Sequence, residues 1–249
     1  LYATGSYNTF VGAKAGEGGT TSAPYSSGEN NTALGYSALT AFTTGGTNVA
    51  VGSSALSKST TASNNVAIGV NSMLDITTGQ RNVALGSYAM AMNQATTAVG
   101  SVDNVFIGYN SGGGSWAAAV SDQNTAIGAY TMDAAMNGAT ANIAVGYNSL
   151  TALTGGDYNT AIGTHAMVTL TTGEANIALG VNALTTHLTG VRNIAIGNNA
   201  MYDTDAGTNS NDSDDNIFIG FTAGGGDWVN NKSEFNIGIG NYAMDGALN

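Results

Sequence analysis

Cysteine is absent from the 249-residue chain, proline occurs once, and only 8% of the residues carry a charged side chain. That charged share is about a third of what a globular domain usually has. The missing cysteines exclude disulfides and thiolate metal sites. Lysine and arginine together number 5 against 16 acids, a formal net charge of −11. So few cations cannot assemble a phosphate-neutralising surface, which excludes nucleic acid as a partner. No apolar run approaches the roughly 18–20 residues of a membrane span, so membrane insertion is not expected. Hydrophobic residues make up 43% of the chain but aromatics only 8%. Small side chains therefore supply much of the apolar content, and one conventional core of this length is not available. The sequence opens at Leu1 with no leader pattern. The chain is expected to be an excerpt or a processed product, with any targeting segment outside it.

What the sequence does have is repetition. A pentad, Asn followed by a β-branched residue, a small residue or Phe, an aliphatic residue and Gly, recurs with its glycine at 12, 35, 52, 69, 86, 108, 128, 146, 163, 180, 197, 220 and 240. Seventeen residues is the base period, and the longer intervals read as loop insertions. A near-match ending at Gly100, with Thr96 in place of Asn, also reads as loop. Counted from the glycine, position −4 is Asn in every copy, including Asn48, Asn65, Asn82, Asn142, Asn159, Asn176 and Asn193. Position −3 is Thr, Val or Ile, and −1 is Val, Leu or Ile. The glycines from 35 to 128 match those from 146 to 240 at offsets of 111 or 112. Copies with Phe at −2 (Phe10, Phe106 and Phe218) occupy 8–12, 104–108 and 216–220. No linker interrupts the pattern, and residues 1–249 read as a single repetitive domain.

Apolar side chains at −3 and −1 alternate in period two, which predicts a strand; glycine every few residues and the missing 3.6 period exclude a helix. A second apolar element follows, small at +3 and Leu or Met at +4, as in Ala38-Leu39 and Ala166-Met167, and then a polar turn such as Thr172-Gly173. The copies with Phe at −2 have Gly at +4 (Gly16, Gly112 and Gly224). Large opposite small is volume compensation, so −2 and +4 are expected to face each other inside a rung. The −3 and −1 aliphatics then lie on the opposite face. A parallel strand apolar on both faces has to be covered on both, and copies of the same chain around a rotation axis are the economical cover. Stacked asparagines are expected to hydrogen-bond along the stack. The predicted fold is all-β: a parallel β-solenoid of about 13 rungs of ~17 residues, trimeric, roughly 60 Å long.

These residues resemble two related groups of proteins. The pentad Asn48-Val49-Ala50-Val51-Gly52 is similar to the head repeat of YadA-like trimeric autotransporter adhesins. The longer unit, Asn31 to Leu39 followed by Thr43-Thr44-Gly45, looks closer to repeats of phage tail fibres and tail spikes. The resemblance implies a left-handed β-roll, a homotrimer and host attachment.

Candidate chemistry is sparse. His165 and His187 fall at +2 and +7 and share no column, and no catalytic constellation is legible, so an enzyme is not expected. Carboxylates meeting across a chain interface would be the basis of the alternative, a glycan-cleaving tail spike. Asp203, Asp205, Asp212, Asp214 and Asp215 lie within thirteen residues; they read as a solvated acidic loop, with a Ca²⁺ site as the alternative. No other cofactor is expected. Trp116 and Trp228 each follow three glycines. They either close rungs that lack Leu or Met, or contact a receptor. Tyr36, Tyr109 and Tyr147 at +1 read as turn packing. Arg81 and Arg192, both at −5, are candidate partners for acidic turns of neighbouring chains, with ordinary surface charge as the alternative. Thr-x-Thr never settles into one strand column, which argues against an ice-binding array. The expected function is a structural or adhesive segment of a phage tail fibre, extracellular on the virion, that mediates or positions contact with a host glycan or protein receptor. The alternative is a bacterial autotransporter head at the cell surface.

Overall fold

The computed structural model describes residues 4–19, 26–92, 100–116, 119–202, 213–226 and 233–246. The chain packs as two compact units, residues 1–124 with 135–137, and residues 125–134 with 138–249. The first unit holds strands β1 (Thr9–Val11), β2 (Thr32–Leu34), β3 (Val49–Val51), β4 (Val66–Ile68), β5 (Val83–Leu85) and β6 (Val105–Ile107). The second holds β7 (Thr125–Ile127), β8 (Ile143–Val145), β9 (Thr160–Ile162), β10 (Ile177–Leu179), β11 (Ile194–Ile196), β12 (Ile217–Ile219) and β13 (Ile237–Ile239). Each is the −3 to −1 segment of one pentad. Within each unit the strands pair in parallel in chain order, in register, so that Val49 lies beside Val66 and Ile177 beside Ile194. The architecture is an all-β solenoid, and no helix occurs among the described residues.

Each rung is built from the residues that recur. The −2 side chain points inward: Ala50, Ala84, Phe106, Ala161 and Phe218 are fully buried. Leu or Met at +4 is buried in the same interior, as Leu56, Met90, Leu150 and Met167 are. The expected size compensation is present as direct contact. A Cβ placed on Gly112 would lie 2.5 Å from the Phe106 ring, and one on Gly224 would lie 2.6 Å from that of Phe218. The Phe218 ring also reaches the next rung, 2.7 Å from where a Cβ on Gly238 would sit. Glycine at −2 leaves room for that ring, whereas the rungs after Phe10 and Phe106 carry Ala33 and Ala126 at the same position. Position +7 adds a third inward wall: Phe42, Ile76, Leu153, Leu170 and His187.

The second apolar element is a turn rather than a strand. Its +2 residues have φ between 51° and 61° and its +4 Leu and Met residues between 46° and 53°. These left-handed values let the turn hydrogen-bond along the stack: the Leu39 N–H donates to the Ala55 carbonyl at 2.9 Å, and the Ser54 N–H to that of Tyr36 at 2.8 Å.

The asparagines form ladders with full amide satisfaction. Asn65 Oδ1 accepts from the Asn82 backbone N–H at 2.9 Å and from Asn82 Nδ2 at 3.1 Å, while Asn65 Nδ2 donates to Asn48 Oδ1 at 3.1 Å and to the Gly79 carbonyl at 2.8 Å. In the second unit Asn142, Asn159, Asn176, Asn193, Asn216 and Asn236 link in the same way. An amide buried with its donors and acceptor lone pairs matched avoids the desolvation penalty of an unmet polar group.

Candidate functional site

Three surface features remain once the core is assigned. The first is the outward side of the strands. Because −2 turns in, −3 and −1 turn out, and they form continuous rows of Val, Leu, Ile and Thr along each unit. Leu34 is 48% exposed and Ile162 43%. Val51, Ile107, Ile196 and Ile219 are half-buried, and Ile127 is exposed. An in-register apolar sheet face of this kind is unusual on a surface.

The second feature is a ridge just past each pentad glycine, at +1 and +2. Tyr36, Tyr109 and Tyr147 stand about half exposed, Tyr147 at 48%, and the rings of Tyr109 and Tyr147 pack on turn residues of adjacent rungs. The +2 backbone places its side chain beside the +1 side chain of the adjacent rung, so rings meet edge to face along the stack. In the first unit Tyr88 and Tyr109 have centroids 6.1 Å apart. In the second, Tyr130 meets Tyr147 at 5.9 Å, Tyr147 meets His165 at 5.7 Å, and Phe221 meets Tyr242 at 5.3 Å. Between these clusters Asn182 Nδ2 donates to Asn199 Oδ1 at 3.2 Å. Among the described residues no enclosed pocket is present.

The third feature is the set of charged corners. Arg81 grips Asp103 through Nε (2.7 Å) and Nη2 (2.8 Å), and Arg192 grips Asp215 at 2.6 Å and 2.7 Å. In both, the carboxylate is the −5 residue of the following rung of the same chain. Each arginine is thus paired within its own chain. The hydrogen bonds and charge of Arg81 hold the Asp103 carboxyl below its ordinary range, and each arginine is raised by its aspartate. Asp214 Oδ1 accepts the Val191 N–H at 2.7 Å, so both described members of the acidic run are engaged with the protein. Asp203, Asp205 and Asp212 lie outside the described residues. Among the described residues, no group of three or more His, Cys, Asp or Glu is placed to hold a metal.

Of the two tryptophans, Trp228 lies outside the described residues. Trp116 is 2% exposed, stacks edge-on against Phe106 at 5.6 Å, and donates Nε1–H to the Gly112 carbonyl at 3.1 Å. It closes a rung whose +4 residue is glycine and offers no ring face to a receptor, which corrects that half of the expectation. In the tryptophan-less copy, Phe42 of the next rung plays this part, 5.5 Å from Phe10. His187 fills a core position of the +7 wall, and burial pushes its pKa down to about 4. His165, by contrast, stands on the ridge.

Sequence reasoning missed one column. The residue three before each Asn is Gly, Ala or Ser in all thirteen copies, from Gly5 and Gly28 to Ser213 and Ser233. Its carbonyl receives the Asn Nδ2 of the preceding rung, as Ser101 does from Asn82 at 2.8 Å. A Cβ on Gly79 would lie 2.8 Å from the Ser101 carbonyl oxygen. The signal was present, but it was divided among three residue types. No family model, no curated protein and no solved structure matches the chain.

Proposed function

We propose that the chain is a rod segment of a phage tail fibre or tail spike, wound as a left-handed β-roll, whose three copies share one axis and position or contribute host contacts. The observation that carries this reading is the outward sheet face, apolar and in register over successive rungs of each unit. A face of this kind is covered most simply by its own copies, because rows with a common rung spacing meet in register around a rotation axis. Attachment then works by multivalency: each weak surface contact is presented three times on one scaffold, and avidity exceeds single-site affinity. The repeat resemblance supports the viral setting.

Sedimentation equilibrium on the purified chain tests the assembly, with a mass of three chains expected. Ile219→Asp places a carboxylate in the covered rows and shifts that mass to one chain. A wild-type chain that stays folded and monomeric at micromolar concentration would overturn the reading. Attachment is tested separately, by binding of the fluorescently labelled chain to a panel of bacterial cells; the reading expects saturable labelling of some strains and fails if none is labelled.

A further inference from the structure

The geometry points to the +1/+2 ridge of the second unit as a track for an extended, neutral polysaccharide, which we propose as the ligand class of this surface. This deepens the attachment reading and rests on it. Between 129 and 242, the +1 and +2 positions of the seven rungs contain no Lys, Arg, Asp or Glu. They contain aromatic rings at Tyr147, Phe221 and Tyr242, exposed by 48%, 41% and 57%, and the amide pair Asn182–Asn199 between the aromatic clusters. Ring faces match the apolar C–H faces of pyranoses. An amide carries two donors and two acceptor lone pairs, so one mutual bond leaves Asn182 and Asn199 capacity for sugar hydroxyls.

Repeat spacing selects a long ligand. Parallel rungs follow each other at about 4.8 Å, close to the advance per residue of an extended pyranose chain, so successive sugars meet successive rungs. With no enclosed pocket among the described residues, a single sugar gains little, and affinity has to accumulate along the track. A net charge of −11 disfavours polyanions.

The test is calorimetric titration of the chain in its native assembly with cellohexaose and chitohexaose, the corresponding disaccharides and tetrasaccharides, and hexagalacturonate as the anionic probe. At least one neutral hexaose is expected to bind, with affinity rising from disaccharide to hexaose, and hexagalacturonate about tenfold or more weaker. Tyr147→Ala and Phe221→Ala each weaken the hexaose about tenfold at unchanged oligomer mass. Tyr147→Phe retains binding, and Tyr36→Ala, in the first unit, leaves it intact. Binding of neither hexaose, no dependence on length, equal binding of hexagalacturonate, or insensitivity to both alanine variants would overturn the proposal. So would a change of oligomer mass in Tyr147→Ala, which would make the ridge a subunit contact. Cell labelling without hexaose binding removes the track and leaves the attachment reading standing. Hexaose binding without cell labelling does the reverse.

Discussion

The glycine that ends each pentad answers to two independent constraints. Its φ lies between 126° and 142° across the copies, outside the range open to L side chains. It also has a neighbour: a Cβ on Gly146 would lie 2.5 Å from the Gly163 carbonyl oxygen, whereas one on Gly240 meets nothing within 4 Å. Alanine at these two positions separates strain from collision. Gly240→Ala is expected to cost about 1–2 kcal/mol, the price of an unfavourable backbone. Gly146→Ala should cost about 3 kcal/mol or more, because the next rung has to move as well. Urea unfolding of both variants measures the difference, and equal costs would show that crowding contributes nothing. The same logic explains which columns were legible in the sequence. The asparagine has a single chemical solution, since only its amide accepts from the next Asn while donating to the one before and to a turn carbonyl, so it appears as one letter. The column three residues earlier is just as crowded, but Gly, Ala and Ser all satisfy it, and no single letter marks it.

At the level of the rung, the compensation between −2 and +4 was legible because both positions vary together between large and small residues. The conformation of the turn was not. Leu56 and Met167 hold φ of 50° and 51°, which no propensity rule assigns to such residues; the ladder of turn hydrogen bonds and the burial of the side chain outweigh the local cost. It follows that glycine at +4 is not required by the backbone. At Gly112, φ is 63°, close to what Leu and Met tolerate elsewhere, and the obstacle is the Phe106 ring. Gly112→Leu alone should destabilise the rung by about 2 kcal/mol from overpacking, and Phe106→Ala alone by about 3–5 kcal/mol from the cavity. The double variant Phe106→Ala/Gly112→Leu, which reproduces the common pair at −2 and +4, should cost less than the sum of the two single-variant costs by at least about 1 kcal/mol. A double-mutant cycle from denaturant unfolding decides it, and strict additivity would mean that the two positions do not share a volume.

At the level of the whole chain, stability rests on stacking small inward residues with few charges, and this gives the rare buried titratable group unusual weight. His187 sits with no exposure in a wall otherwise lined by residues such as Leu153 and Leu170. Burial lowers its pKa from 6.5 to about 4, the nearby charge of Asp214 acting only partly against that. The neutral imidazole is therefore the folded form. With a folded pKa below the unfolded one, stability is complete above about pH 6.5 and falls as the unfolded chain takes up the proton that the folded chain refuses. The loss continues down to about pH 4, where the folded form protonates as well. Across that window the single group removes about 3 kcal/mol. His187→Leu supplies the residue found at the same position one rung earlier, and so is expected to fold without strain and to remove this acid sensitivity. Urea unfolding of wild type and variant at pH 7 and pH 4.5 provides the check: the gap between them should widen in favour of leucine as the pH falls. A constant gap would mean that the proton reaches His187 in the folded chain as easily as in the unfolded one, and that the +7 wall is open to water at that rung.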